Sequence, residues 1–427
     1  MSVLLNKKRA DEFLERLDVD ALISSGRENT TYLTGFNAVT HITDRMYNEL
    51  PGSGENFSQA YGIYSRSGNS VLVLPLSLYL VARMDGLAAP EIYTYGKPPS
   101  LREPDSRFDT LEEKEFEKRL NTSNRNFETA ATALSAAVKE FADDDVLAMD
   151  FSDMNRASEE QLKHDHQNLL CKNGTELFRF LRMVKSHEEI RRLTKACEIN
   201  EEALGEVISS IKEGASEIDL RRVYAISVAS RDGMFQLGHF MLPTGTKGGA
   251  IARATSSKIT VGTFGWTDLM CSYMGYYSDI GETFVMGAPT EKLTKYYNAL
   301  YKVVERAEDL VVPGLKPSEL NREIGKVWDS CDMPRTPYGM GHGIGLEIYD
   351  YPRISAAKGE IIHNQSAVKD DLIRSSIDIP FEEGMVLALE APYLVWGWGG
   401  VHLERNVIVE KNGCKSLVNQ DRFLRIL

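Results

Sequence analysis

Cysteine is scarce, with five residues in 427 (Cys171, Cys197, Cys271, Cys331 and Cys414), an odd number, widely scattered and nowhere in a CxxC pair. That pattern excludes a disulfide framework and a thiolate zinc site, and it fits a reducing compartment. Long apolar runs are missing too. The longest, Val71 to Ala82, is broken by Pro75 and falls short of the roughly 20 residues that a bilayer-spanning helix needs. The start, Met1 to Arg9, places its basic residues after the short apolar stretch, unlike a signal peptide, so the expectation is a cytoplasmic protein with no membrane partner. There is no clustered basic run, and 49 Lys+Arg against 62 Asp+Glu leave a net charge of −13, a balance that repels phosphate backbones. Nucleic acid is therefore not an expected partner. Gly (33) and Pro (15) are too few for a collagenous or low-complexity chain.

What is present is the composition of a globular protein long enough for two or three domains. Lys7 to Arg16 has amphipathic helical spacing, Asp20-Ala-Leu-Ile-Ser and Ser70 to Pro75 read as strands, and Thr129 to Phe141 reads as an alanine-rich helix before a strand at Val146 to Asp150. This alternation predicts an α/β domain over residues 1–165. His164 and His166 lie in a polar stretch and are read as solvated. A linker is expected over 166–184, and a second domain over 185–427. The second domain opens with a long helix, capped by Ser186 with Glu189 three residues later. A Gly stop and a Ser-Glu helix start at Lys212 to Leu220 return at Val312 to Leu320, which suggests two similar halves around a shared centre.

The chemistry-bearing residues lie in this second domain. Two extended runs flank Tyr273-Met-Gly275, so a hairpin there brings Asp268 and Asp279 nearly opposite each other. A second hairpin, with Gly397, Gly399 and Gly400 as its turn signal, joins Glu390 to Glu404. Between them His342 is framed by Gly341 and Gly343, which allow close backbone approach and a free imidazole. Like charges facing each other on a sheet need compensation, and a divalent cation held by several carboxylates supplies it.

With these residues in place, the sequence resembles the pita-bread metallopeptidase family, which includes methionine aminopeptidase, Xaa-Pro aminopeptidase and prolidase, with creatinase and dimethylsulfoniopropionate lyases as relatives. The family's metal set matches Asp268, Asp279, His342, Glu390 and Glu404. The supporting motifs are Gly275-Tyr276 with Ser278-Asp279, Gly341-His-Gly-Ile-Gly-Leu and Glu383 to Glu390. The N-terminal Asp20-Ala-Leu-Ile and Tyr32-Leu-Thr-Gly-Phe36 match the two-domain, proline-peptidase-like branch. The resemblance implies an α/β (α+β) protein with an N-terminal creatinase-like domain and a C-terminal pita-bread catalytic domain. It further implies two divalent metal ions (Mn, Co, Zn or Fe) with a bridging water or hydroxide, Glu390 as proton acceptor, His342 facing the substrate and a homodimer.

The shell around the metal set departs from the family. The peptidases carry a histidine about seventeen residues before the first Asp, where this chain has Gly249-Ala-Ile-Ala-Arg-Ala. Seven residues after the metal histidine they carry another, and here that position is Tyr349, which can still donate to an oxyanion. The arginine that the proline-specific branch carries two before the last Glu is here His402, a candidate substrate-binding residue and partial replacement for it, and the usual Thr-Arg after the second Asp is Gly281-Glu282. Asp350 is a candidate base, as in the lyase relatives. His239 is a candidate for folding back toward the site, and Trp398, with Trp396, for a wall beside it. The polar segment 356–378 is a candidate lid. The expected activity is hydrolysis of a small peptide or peptide-like amide of the Xaa-Pro type. The alternative is a lyase or a creatinase-like hydrolase acting on another small molecule.

Overall fold

The computed structural model describes residues 4–41, 58–85, 91–97, 110–121, 125–142, 146–354, 378–419 and 421–427. The candidate lid 356–378 lies outside them except for Asp378. The chain divides into two compact units, Met1–Arg182 and Met183–Leu427. Among the described residues no helix is long and apolar enough to cross a membrane.

The first unit is built on a mixed sheet of β1 (Ala21–Ser24), β2 (Tyr61–Ser65), β3 (Ser70–Pro75), β4 (Glu91–Tyr95), β5 (Asn126–Phe127), β6 (Val146–Met149) and β7 (Leu170–Asn173). Their order is β5-β4-β3-β2-β1-β6-β7. Strands β1 to β3 are almost continuously buried, as apolar runs covered on both faces should be. The helix Ala130–Phe141 packs Ala133, Leu134, Ala137 and Val138 against them and starts at a Thr129/Thr132 capping box. Residues 166–184 are not a plain linker, because β7 pairs with β6 and a helix follows over Thr175–Met183. His166 also departs from its solvated reading: it is buried, with its ring 3.1 Å from Ser135 Oγ.

In the second unit Ser186 and Glu189 cap the long helix His187–Ser210 reciprocally. The echoed Gly segments perform the same task twice. Gly214 (φ +83) joins that helix to Glu217–Ala229, and Gly314 (φ +91) joins Glu291–Leu310 to Pro317–Ser330. Such φ values favour glycine because a Cβ crowds the backbone there. The main sheet runs β12 (Asp350–Arg353), β11 (Gly341–Gly343), β13 (Val386–Glu390), β16 (Glu404–Glu410), β10 (Tyr276–Val285), β9 (Phe264–Tyr273) and β8 (Phe240–Met241). Strand β17 (Gly413–Ser416) joins β16 and β18 (Arg425–Ile426) joins β10, while β14 (Tyr393–Val395) and β15 (Gly399–Val401) pair separately. Leu269, Cys271, Ile280 and Phe284 on one face of the β9–β10 hairpin meet Ile199, Ala203, Val207, Leu220 and Tyr224 of the helices. Strand alternation turns Asp268 and Asp279 to the opposite face.

Candidate metal centre

Strands β9 and β10 are joined by Met274 and Gly275, both with positive φ (48 and 85), the geometry of a two-residue hairpin turn whose twist matches the strands. In the resulting register Asp268 faces Gly281 and Asp279 faces Met270. The two aspartates are thus diagonal neighbours on one face rather than directly opposite, a spacing that leaves room between them. Glu390 and Glu404 are directly opposite across β13 and β16. Their connection is longer than a simple turn, because β14 and β15 form their own small ribbon between them.

The two hairpins meet where Gly281 pairs with Glu404. Asn406 fastens the junction: its Oδ1 accepts the Asp279 N–H (3.1 Å) and its Nδ2 donates to the Asp279 carbonyl (2.6 Å). Strand β11 lies between β12 and β13, and its glycines are required there. A Cβ on Gly341 would fall 1.9 Å from the Ala388 carbonyl oxygen, and one on Gly343 would fall 2.0 Å from that of Tyr351. Close approach of the strands sets His342 into the carboxylate cluster.

The His342 Nδ1 faces the Gly343 carbonyl at 3.0 Å, and since a carbonyl only accepts, Nδ1 bears the proton. Its Nε2 points to Asp279 Oδ2 (3.9 Å) and Glu390 Oε1 (3.8 Å). One ligand atom each from Asp279, His342 and Glu404 lie within 4.8 Å of one another, and the same holds for Glu390, His402 and Glu404. Both Glu404 oxygens, Asp268 Oδ1 and Asp279 Oδ1 are buried without a hydrogen-bond partner.

Burying several carboxylates together is costly unless a cation or protons compensate them. Burial, joined by the Glu390 charge and opposed by His402, pushes Asp268 up to about 6. Burial and the neighbouring carboxylates push Asp279 and Glu404 well above the carboxylate range. Burial would raise Glu390 too, but the hydrogen bond and charge of His402 bring it below its ordinary value. Burial alone would lower His402, yet its bond to Glu390 and the surrounding charges raise it to about 9. Burial lowers His342. Unpartnered carboxylate oxygens beside imidazole nitrogens form a donor set that suits divalent transition-metal ions.

The other predicted residues divide. Tyr349, 47% exposed, stands beside His342 with ring centroids 4.4 Å apart, and its hydroxyl is raised by the partial desolvation of that position and by all four cluster carboxylates. His402 Nε2 lies 3.1 Å from Glu390 Oε2 and 3.9 Å from Glu404 Oε2. His239 is half-buried and packs edge-on against Tyr277, which alternation puts on the Asp279 face. Asp350 is better described as a structural ion-pair partner than as a base. Its carboxylate takes up Lys185 Nζ at 3.3 Å, both side chains fully buried, beside Glu189, which burial raises to about 7. The Trp398 ring packs 4.9 Å from both Phe264 and Tyr296 with Lys292 Nζ 4.8 Å away, Phe264 lying on the same face of β9 as Asp268. Phe264 is four residues along β9 from Asp268, roughly 13 Å in a strand. Trp396 is 85% exposed.

Gly281 and Asn406 were missed. A buried asparagine two residues after Glu404, on the same strand face, was the available signal for Asn406. For Gly281 the signal was the departure Gly281-Glu282 itself, since glycine inside a strand often marks close approach of another group.

Comparison with known proteins agrees with this geometry. The model of metallopeptidase family M24 matches residues 191–411, and that of the creatinase/prolidase N-terminal domain matches residues 7–184. The chain belongs to metallopeptidase family M24. This M24 chain is 31% identical to an Xaa-Pro dipeptidase of Pyrococcus furiosus over 255 residues, covering 57% of the chain and 65% of that relative. It is 27% identical to an Xaa-Pro dipeptidase of Pyrococcus horikoshii over 279 residues, covering 62% of the chain and 71% of the relative. The match thus spans about two thirds of these relatives' length. In fold it is similar to the prolidase structure from Pyrococcus horikoshii OT3 (TM-score 0.69, 21% identity, 98% of this chain and 99% of that one). It is equally similar to the X-Pro aminopeptidase of Thermotoga maritima (TM-score 0.69, 16% identity, 99% of each). The two-unit α/β architecture is the one these structures share.

Proposed function

We propose that this M24 chain is a metal-dependent hydrolase of the Xaa-Pro peptidase type, acting on a short peptide or peptide-like amide, with two divalent ions held by Asp268, Asp279, His342, Glu390 and Glu404. The observation that carries this reading is the meeting of four carboxylates and His342, with Asp279, His342 and Glu404 buried and the Glu404 oxygens unpartnered. The names of the Pyrococcus relatives support the substrate class.

Two such ions, when bound, lower the pKa of water and stabilise negative charge that develops on a substrate oxygen. The protein's own groups do the rest. Glu390, the one cluster carboxylate brought below its ordinary value, is ionised at neutral pH and so free to accept a proton. The Tyr349 hydroxyl, held protonated beside the four carboxylates, is a donor for the oxyanion. His342, with Nδ1 tied to its own strand, keeps one orientation.

A second reading is a lyase, or a small C–N hydrolase, on the same scaffold. It is favoured by the substrate-handling positions: Tyr349 replaces a histidine, and no histidine occurs in Gly249 to Ala254. A screen of metal-replete protein separates the two. Xaa-Pro dipeptides, tripeptides and dimethylsulfoniopropionate are tested side by side, with metal content measured on the same sample. Release of proline or of a free N-terminal residue is the expected result. An alkene product with no amide cleavage would replace the first reading by the second, and protein unable to hold transition metal would remove both.

A further inference from the structure

His402 repeats, point for point, the arrangement of His342. Its Nδ1 lies 2.9 Å from the Thr267 carbonyl oxygen, so Nδ1 bears a proton; Nε2, which in the metal-free protein donates to Glu390 and would release that proton to a cation, is the atom presented to the cluster. Metal-ligating histidines almost always spend the other ring N–H on a carbonyl or carboxylate in this way, which fixes tautomer and ring plane. The backbone is pinned as well: the His402 N–H donates to Thr283 Oγ1 (2.9 Å), and the Thr283 hydroxyl donates to the His402 carbonyl (2.8 Å). Trp266 closes one side of the ring, edge-on at 5.6 Å. The side chain is 1% exposed.

Room for this imidazole comes from β10. A Cβ on Gly281 would fall 2.3 Å from His402 Nδ1 and 2.5 Å from Cε1, so a threonine at 281 and a histidine at 402 cannot coexist in this geometry. The two departures from the family pattern, at 281 and at 402, are thus one coupled change. Its product is a second nitrogen donor aimed at Glu390 and at the unpartnered carboxylate of Glu404.

We propose that His402 is a sixth protein ligand of the metal centre, its Nε2 joining Glu390 and Glu404 in holding one of the cations. Glu404 belongs to both candidate triads, Asp279–His342–Glu404 and Glu390–His402–Glu404. One consequence is metal preference. A position with only carboxylate donors suits Mn or Mg, whereas an added imidazole favours Zn, Co or Fe(II).

The proposal rests on the two-metal reading above, and the test keeps the two apart. Purified full-length protein is loaded with Zn(II) or Co(II); equivalents bound are measured by titration, and histidine ligation is measured by X-ray absorption at the zinc edge. Two ions with an average of one imidazole per ion are expected in the wild type. In His402→Gln the second ion should bind at least ~10-fold more weakly with the first equivalent retained, and when both positions are filled at saturating zinc the average should fall to half an imidazole per ion. His402→Arg restores positive charge without a ligand atom and should show the same loss. Two ions bound by wild type with one imidazole between them would overturn the proposal, and so would an arginine variant that holds both ions as tightly as wild type; either result would make His402 a charge partner of Glu390. Wild-type protein that takes up a single ion overturns the dinuclear reading itself.

Discussion

Asp279 illustrates how a single residue can be kept for function against stability. Its carboxyl is buried next to Glu404, Asp268 and Glu390, and burial and those neighbours raise it well above the carboxylate range. Asp279→Asn keeps the shape and the Asn406 bonds to the main chain, but removes the cost of burying a charge there or of taking up a proton to avoid it. Metal-free Asp279→Asn should therefore melt higher than metal-free wild type at pH 7, where each kcal/mol is worth about 2–4 °C for a domain of 150–250 residues. The same variant should lose the ion that Asp279 holds and the activity with it. Calorimetry on stripped samples checks the first part, and a lower melting temperature would contradict the account of like-charge strain. Tyr349→Phe tests a different residue-scale claim. If the hydroxyl meets a developing oxyanion, kcat falls about 10²-fold or more with metal content unchanged. An unaltered kcat would leave Tyr349 as packing for the His342 ring.

At the scale of elements, the placement of His342 depends on how closely β11 fits between β12 and β13. Gly343→Ala would drive a methyl group into the Tyr351 carbonyl oxygen at 2.0 Å. Backbone on both sides cannot yield as a flexible side chain would, so a loss of about 1–3 kcal/mol in stability is expected, with weakened metal binding because His342 shifts with its strand. Denaturant melts of metal-free protein alongside metal titration check both effects; wild-type values in each would show that the strands have slack. The hairpins themselves were legible in sequence because turn chemistry and alternation are local: Met274-Gly275 places the aspartates, and Glu390 faces Glu404 despite the ribbon inserted between them. What was not legible depends on pairs far apart in the chain. Asp350 reads as a candidate base until Lys185, 165 residues earlier, neutralises it. His402 reads as a weak arginine substitute until Gly281 opens a slot for its ring. The packing of Trp398 on Phe264 and Tyr296 likewise joins residues more than a hundred positions apart.

For the molecule as a whole, the four cluster carboxylates convert the acidic balance of −13 into a dependence of stability on pH and metal. Asp268 is raised from 3.8 to about 6, so between those values the folded protein holds a proton that the unfolded chain has released. A group raised in this way stabilises the fold below its unfolded pKa, and that contribution is lost as pH climbs through the folded one. Asp279 and Glu404, raised further, extend the loss upward. His402, raised from 6.5 to about 9, acts in the same direction: its contribution is complete below 6.5 and gone above 9. Glu189 and Glu282, each raised to about 7 by burial, add to the slope but lie outside the metal set, so they act equally with and without metal. Bound cations stand in for the protons at the cluster, and they bind the folded state in preference to the unfolded. The melting temperature of metal-free protein should therefore fall from pH 5 to pH 8, and the increase produced by saturating Zn or Co should grow over the same range. Scanning calorimetry of stripped and loaded samples across that range measures both. A metal-induced increase that stays constant with pH would mean that the raised groups are not those the ions contact, and a metal-free melting temperature that rises with pH would reverse the sign assigned to the cluster.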